Sequence, residues 1–138
     1  MGGKRRARRV LIAEDDFEMR RVLADALRSA RFDVLEAADG RELVEQLSAS
    51  IVQRLPVDCI ITDVCMPRLS GTQALRLIRS RGISYPVIVI TAFGDNVARL
   101  EAWLLGAAAV MDKPFTLPEL MDELRRIGLD GAGFPPTP

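Results

Sequence analysis

The chain has no histidine among its 138 residues. That absence removes Ser-His-Asp and Cys-His catalysis, and histidine-ligated zinc, together. Lysine is nearly as scarce. Of 19 basic residues only Lys4 and Lys113 are lysine, so an ammonium at Lys113, inside an apolar segment, needs a reason. Cysteine occurs twice, at Cys59 and Cys65. An extended chain separates these two by roughly 20 Å, too far for a disulfide, and reduced thiols are expected. No apolar run reaches the roughly 18 residues needed to cross a bilayer. The start, MGGKRRARRV, is basic but leads into no long apolar stretch, which argues against a secretory leader. A cytoplasmic location without membrane contact is the expectation. With 49% hydrophobic and 28% charged residues and zero formal net charge, the composition is that of one globular domain able to bury a core.

The apolar residues that are present fall into short runs separated by amphipathic segments. Residues 10–13, 33–37, 57–62, 87–91 and 107–111 read as strands. Continuous apolar runs such as 87-VIVIT-91 suit strands buried on both faces. Between them, residues 17–31, 41–52, 71–81 and 96–105 repeat apolar positions at helical spacing. Met19, Val22, Leu23, Ala26, Leu27 and Ala30 form the inward stripe of the first helix; Ala74, Leu75 and Ile78 form that of the third. Thr116 and Glu119 have capping-box spacing at the start of a last helix, which ends near Ile127 before Gly128. Five strands alternating with five helices predict an α/β fold, a doubly wound parallel sheet with right-handed crossovers.

In such a sheet, ligands bind beyond the carboxyl ends of the strands. Strand 1 ends in Glu14-Asp15-Asp16. Strand 3 ends in Asp63, strand 4 in Thr91-Ala92, and strand 5 runs into Lys113-Pro114. Each group alone has an ordinary explanation. Asp16 could cap the following helix, Asp63 could be a turn residue, Thr91 is a good strand former, and Lys113 could reach water from a surface site. Together they place acids, a hydroxyl and an ammonium on one rim. Clustered carboxylates with open positions suit Mg²⁺. A carboxylate can attack phosphorus to give an aspartyl phosphate, while an ammonium and a hydroxyl share the charge on the phosphoryl oxygens.

The segments 10-VLIAEDD-16, 60-IITDVCMP-67 with Gly71, 88-IVITA-92 and 113-KPF-115 resemble those of the receiver domain of two-component response regulators, over roughly residues 8 to 127. The resemblance implies a flavodoxin-like (βα)5 domain with strand order 2-1-3-4-5. It implies Asp63 as phosphoacceptor for a histidine kinase or phosphotransfer protein, and Mg²⁺ held by Asp15 directly, by Glu14 through water, by Asp63 and by the backbone carbonyl of Cys65. Asp16 follows the acidic pair without a fixed place in it. Thr91 matches the hydroxyl that moves toward the phosphoryl group, Ala92 the small residue that leaves room for it, and Lys113 the lysine that pairs with its oxygens. A cis Lys113–Pro114 bond is also implied. The domain is then a signalling switch, not an enzyme acting on a separate substrate.

Two features depart from that pattern. Val110 stands where an aromatic residue usually follows the threonine's movement, and in 106-GAAAVMDKPF-115 alanines replace acidic residues after the Gly-Ala. Two other readings stay open. An aspartyl-nucleophile phosphohydrolase would want an acid two residues after the nucleophile, where this chain has Cys65. A receiver-like interaction module that is never phosphorylated would have no use for Asp15, Asp63, Thr91 and Lys113 together.

The helix of 96–105, NVARLEAWLL, divides its apolar residues between two arcs. Val97, Leu100 and Leu104 lie on one, Ala98, Ala102 and Leu105 on the other, with Trp103 between Leu100 and Arg99. Small residues permit close approach, so Ala98 and Ala102 are expected against the sheet, and the resemblance implies Trp103 inward too. Leu100 and Leu104 are then left exposed for a homodimer or a target protein. Residues 1–7 read as a basic tail, 8–127 as the receiver domain, and 128–138 as a flexible tail or linker. The basic run of residues 4–9 could meet nucleic acid, but no recognition helix or stacking aromatics accompany it, and a solvated tail is expected.

Overall fold

A computed structural model describes residues 7–129. The end of the basic run is not a solvated tail, since Arg9 opens the first strand and pairs with Asp33 at 2.7 Å. Residues 1–6 of the expected basic tail and residues 130–138 of the expected C-terminal tail lie outside the described residues. Within them the elements alternate as β1 (Arg9–Ala13), α1 (Phe17–Ser29), β2 (Asp33–Ala37), α2 (Gly40–Val52), β3 (Cys59–Asp63), α3 (Gly71–Ser80), β4 (Val87–Ala92), α4 (Asn96–Leu104), β5 (Ala109–Lys113) and α5 (Leu117–Arg126). The strands form one parallel sheet in the order β2-β1-β3-β4-β5. This is the doubly wound arrangement expected of the sequence.

The two-residue period of a strand sorts the central side chains into two cores. Val10, Ile12, Cys59, Ile61, Ile88 and Ile90 pack with Leu23 and Leu27 of α1 and Leu120 and Leu124 of α5. Leu11, Ile60, Val87 and Val89 pack with Leu43 and Leu47 of α2, Leu75 and Ile78 of α3, and Ala102 of α4. Burying each such large aliphatic chain contributes about 1.5–3 kcal/mol. Helix starts are fixed by side-chain caps: Asp16, Asp39, Ser70, Asp95 and Thr116 each accept from a first-turn N–H. Ser70–Gln73 and Thr116–Glu119 complete full capping boxes.

Three expectations differ from the structure: one from periodicity, one from the resemblance, and one on where the domain ends. Val22 is exposed, and Ala24 is buried in its place, because the stripe of α1 is centred on Leu23 and Leu27. Trp103 is 48% exposed. On α4 the sheet takes only the small residues Ala98 and Ala102, and the indole, about 100° round from Ala102, falls on the outward half. Leu129, assigned to the tail, is buried beside Phe32 and Leu124. Cys59 and Cys65 are both free thiols; burial and then the nearby Asp58 push the Cys59 thiol up to about 12. None of the described helices is long and apolar enough to cross a membrane.

Candidate phosphoryl-acceptor site

Glu14, Asp63 and Lys113 continue the rows of Ile12, Ile61 and Met111, two residues beyond each, so all three emerge on the same side of the sheet's carboxyl edge. Lys113 Nζ donates to Asp63 Oδ2 and, at 3.2 Å, to Glu14 Oε1. Both carboxylates are sequestered, Glu14 at 2% and Asp63 at 5% exposure. Two buried acids so close need a partner charge, and the ammonium supplies it. This answers why lysine, and not another arginine, stands at 113: a compact ammonium can serve two carboxylates and still meet a third oxygen. The cis Lys113–Pro114 bond lies at this point.

The other Asp63 oxygen, Oδ1, accepts the N–H of Cys65 at 2.9 Å. Behind Asp63 the chain turns from β3 into α3. Gly71 closes the turn by donating its N–H to Val64 O at 2.9 Å. A Cβ on Gly71 would stand 2.0 Å from Asp63 O, so only glycine fits at the start of α3. Asp15 is exposed, and its carboxylate, with those of Glu14 and Asp63, offers oxygens that lie within 4.8 Å of one another. Asp16 turns away from this group and caps α1 by accepting from Glu18 and Met19. Its own N–H returns to Glu14 Oε2 at 3.1 Å.

Thr91 belongs to the other row of β4, with Val87 and Val89. It lies one residue past Ile90, which pairs with Asp63. Its hydroxyl is buried and has no hydrogen-bond partner among the described residues. Ala92 is exposed beside it. The sequence therefore named Glu14, Asp15, Asp63, Thr91 and Lys113, and the fold brings them to one rim. The packing of Gly71 against Asp63 O, and the bond that Arg20 Nη1 donates to the Glu14 carbonyl at 2.7 Å, lie outside what spacing could reveal.

Burial, and next the hydrogen bond with Asp63, push the Glu14 carboxyl up to about 7 from 4.5. Burial lowers the Lys113 ammonium, but the hydrogen bond and charge of Asp63, joined by Glu14, outweigh it and raise the group above its usual value. The folded chain thus holds the Glu14 proton more tightly than the unfolded chain. Its stabilising contribution is fully present below 4.5 and is lost as pH rises through 7. In metal-free buffer, Glu14→Gln is expected to be more stable than the unsubstituted chain by about 2–3 kcal/mol above neutral pH and to lose that advantage in acid. Urea unfolding across the pH range measures it, and a pH-independent difference would show that this carboxyl titrates normally.

A family model described as the response regulator receiver domain matches residues 10–125. The chain is 39% identical over 115 residues to the transcriptional regulatory protein PdtaR of Mycobacterium tuberculosis, which covers 83% of this chain and 53% of that protein. It is 34% identical over 122 residues to the response regulator MprA of Mycolicibacterium vanbaalenii, covering 86% and 49%. It therefore spans about half the length of these curated relatives. Among solved structures, the chemotaxis response regulator CheY4 of Vibrio cholerae matches with a TM-score of 0.75 at 29% identity, over 87% of this chain and 98% of that one.

Proposed function

The chain belongs to the response regulator receiver family, and from that membership we propose that Asp63 accepts a phosphoryl group from a phosphohistidine of a histidine kinase or phosphotransfer protein, in a Mg²⁺-dependent reaction that switches protein contacts in the cytoplasm. The observation that carries this reading is the buried, unpartnered Thr91 hydroxyl, one residue past Ile90, the strand partner of Asp63, whose carboxylate Lys113 holds. A buried hydroxyl without a partner costs about 1–3 kcal/mol. A phosphoryl oxygen on Asp63 would be its acceptor.

The donor set fits a divalent cation: three carboxylates converge, one of them exposed and open to water. Glu14, Asp15, Asp63 and the Cys65 carbonyl would hold Mg²⁺, which would supply charge for the phosphoryl oxygens. The chain's own residues do the rest. The Cys65 N–H and the Lys113 ammonium fix the Asp63 carboxylate for in-line attack. The P–N bond of the donor breaks, a P–O bond to Asp63 forms, and the leaving imidazole retains its electron pair and takes up a proton. Lys113 then follows the phosphoryl oxygens, and Thr91 donates to one of them.

The phosphohydrolase reading is weakened by Cys65, which presents a backbone N–H where a second catalytic acid would be required. The pure interaction module is set aside by one test. The chain is incubated with a small acyl phosphate or a phosphorylated kinase, with and without Mg²⁺, and read by intact mass. Addition of one phosphoryl group only with Mg²⁺ is expected; no addition under any donor would overturn the proposal.

The partner surface proposed for the switch is the outer face of α4, where Leu100 is 59% and Leu104 76% exposed. Phe93 and Val97 extend that apolar face. A groove of about 560 Å³ lies beside Arg99 of this helix, lined by Phe93, Val110, Met111 and Phe115 among others. With Val110 in place of an aromatic, coupling between Thr91 and α4 has to pass through backbone and packing and not through an aromatic rotamer. Leu100→Glu with Leu104→Glu is expected to leave stability within about 0.5 kcal/mol and to weaken self-association or target binding. Sedimentation and unfolding curves check both halves, and loss of the fold would place these leucines in the core.

A further inference from the structure

We propose that Arg20 is a positioning residue for the acid cluster: its guanidinium fixes the peptide that joins Glu14 to Asp15 and thereby sets the affinity of the cluster for a divalent cation. This rests on the reading of Glu14, Asp15 and Asp63 as a cation site.

Arg20 stands in an unusual place for a cation. It lies near the amino end of α1, where the helix dipole disfavours positive charge, and its side chain is only 13% exposed. Something must offset both costs. Helical side chains lean toward the amino end, and this one reaches back over the first turn. Its Nη1 donates to the Glu14 carbonyl at 2.7 Å and its Nε to Glu36 Oε1 at 3.3 Å. The guanidinium also lies 5.3 Å from the centroid of the Phe17 ring. Glu36 does not depend on Arg20 for charge balance, because Arg21 and Arg28 bind it at 2.9 and 3.1 Å. What Arg20 has and these two lack is the bond to the Glu14 carbonyl.

That carbonyl controls the acids on either side of it. The Glu14 N–H is fixed to Ala37 O at 3.0 Å, and the Glu14 carboxylate is fixed by Lys113 and the Asp16 N–H. The Asp16 side chain is committed to the helix cap. Rotation of the peptide between Glu14 and Asp15 would swing the Asp15 carboxylate out of the converging set, and the guanidinium opposes that rotation. Arg20 thus acts on the exposed ligand through the backbone. Electrostatics alone predicts the opposite sign: removing a positive charge near the cluster should tighten cation binding.

The test uses Mn²⁺ and the unphosphorylated chain, with free Mn²⁺ counted by its EPR signal, so that no phosphotransfer enters the readout. Arg20→Ala is expected to weaken Mn²⁺ binding about tenfold, the lower end of losses seen when outer contacts to metal ligands are removed. Arg20→Lys, whose single ammonium can serve the carbonyl or Glu36 but lacks the fork to hold both, is expected to recover part of the loss. Arg21→Ala removes an ion pair to Glu36 without touching the Glu14 carbonyl, and its Mn²⁺ affinity is expected to match that of the unsubstituted chain. Thermal unfolding in metal-free buffer records any general loss of stability separately; should the alanine variant not fold, the lysine variant decides. Unchanged or tighter Mn²⁺ binding on loss of Arg20, or an equal loss in Arg21→Ala, overturns the inference. Absence of Mn²⁺ binding by the unsubstituted chain overturns the cation site itself, and this inference with it.

Discussion

Asp63→Asn is expected to take up no phosphoryl group from any donor, under Mg²⁺ conditions in which the unsubstituted chain is labelled. The amide keeps the volume of the carboxylate, and its carbonyl can still accept the Cys65 N–H that now reaches Oδ1 at 2.9 Å. The fold should survive the change. What it loses is the nucleophile, because a neutral amide oxygen is a far weaker attacking group than a carboxylate. The variant also removes one of two buried acids that share Lys113. Glu14 then keeps the ammonium to itself, and the raised pKa that Asp63 helps to impose should fall. Intact mass gives the first result and the pH dependence of unfolding the second. Labelling that persists in this variant, mapped by peptide analysis to another residue, would remove Asp63 from the role.

The sequence carried the sheet because its strands are buried on both faces: VLIA, CIIT and VIVIT are continuous apolar runs, short and rich in β-branched residues, which favours buried strands over buried helices. It carried the rim because rare residue types stand at strand ends, above all the second of two lysines. Boundaries were less visible. β5 begins two residues later than the apolar run, since Ala107 and Ala108 precede the paired segment. The orientation of α4 was half visible: alanine spacing located the sheet side, but Trp103 depends on how closely the helix approaches, which periodicity does not encode. Arg20 could not be singled out among the many arginines. Its distinguishing feature is one bond to a carbonyl six residues away, formed only when α1 folds back over the end of β1. Gly71 was visible as part of a motif, yet the reason for it lies in a distance between β3 and α3.

That distance makes Gly71→Ala the most informative change away from the reacting groups. Helix propensity alone says that alanine at the start of α3 should stabilise by up to about 1 kcal/mol. Among the described residues the glycines with positive φ are Gly82, Gly94, Gly106 and Gly128; Gly71 is not one of them, so alanine faces no backbone strain there. Space decides the outcome instead. The new Cβ would stand 2.0 Å from Asp63 O, 2.8 Å from Asp63 C and 3.1 Å from Thr62 Oγ1. The first two are backbone atoms of a central strand and cannot turn aside as a side-chain tip could. Either α3 lifts off or the end of β3 moves, by roughly an ångström, at a cost of about 3 kcal/mol. Movement of β3 carries Asp63 away from Lys113 and Thr91, and a misplacement of that size lowers a positioned reaction by about a hundredfold. Urea unfolding and the rate of phosphoryl uptake should therefore both fall, in contrast to Asp63→Asn, which abolishes uptake with the fold kept. An alanine variant as stable as the unsubstituted chain and labelled at the same rate would show that close packing of α3 on the acceptor strand does not set the geometry of the site.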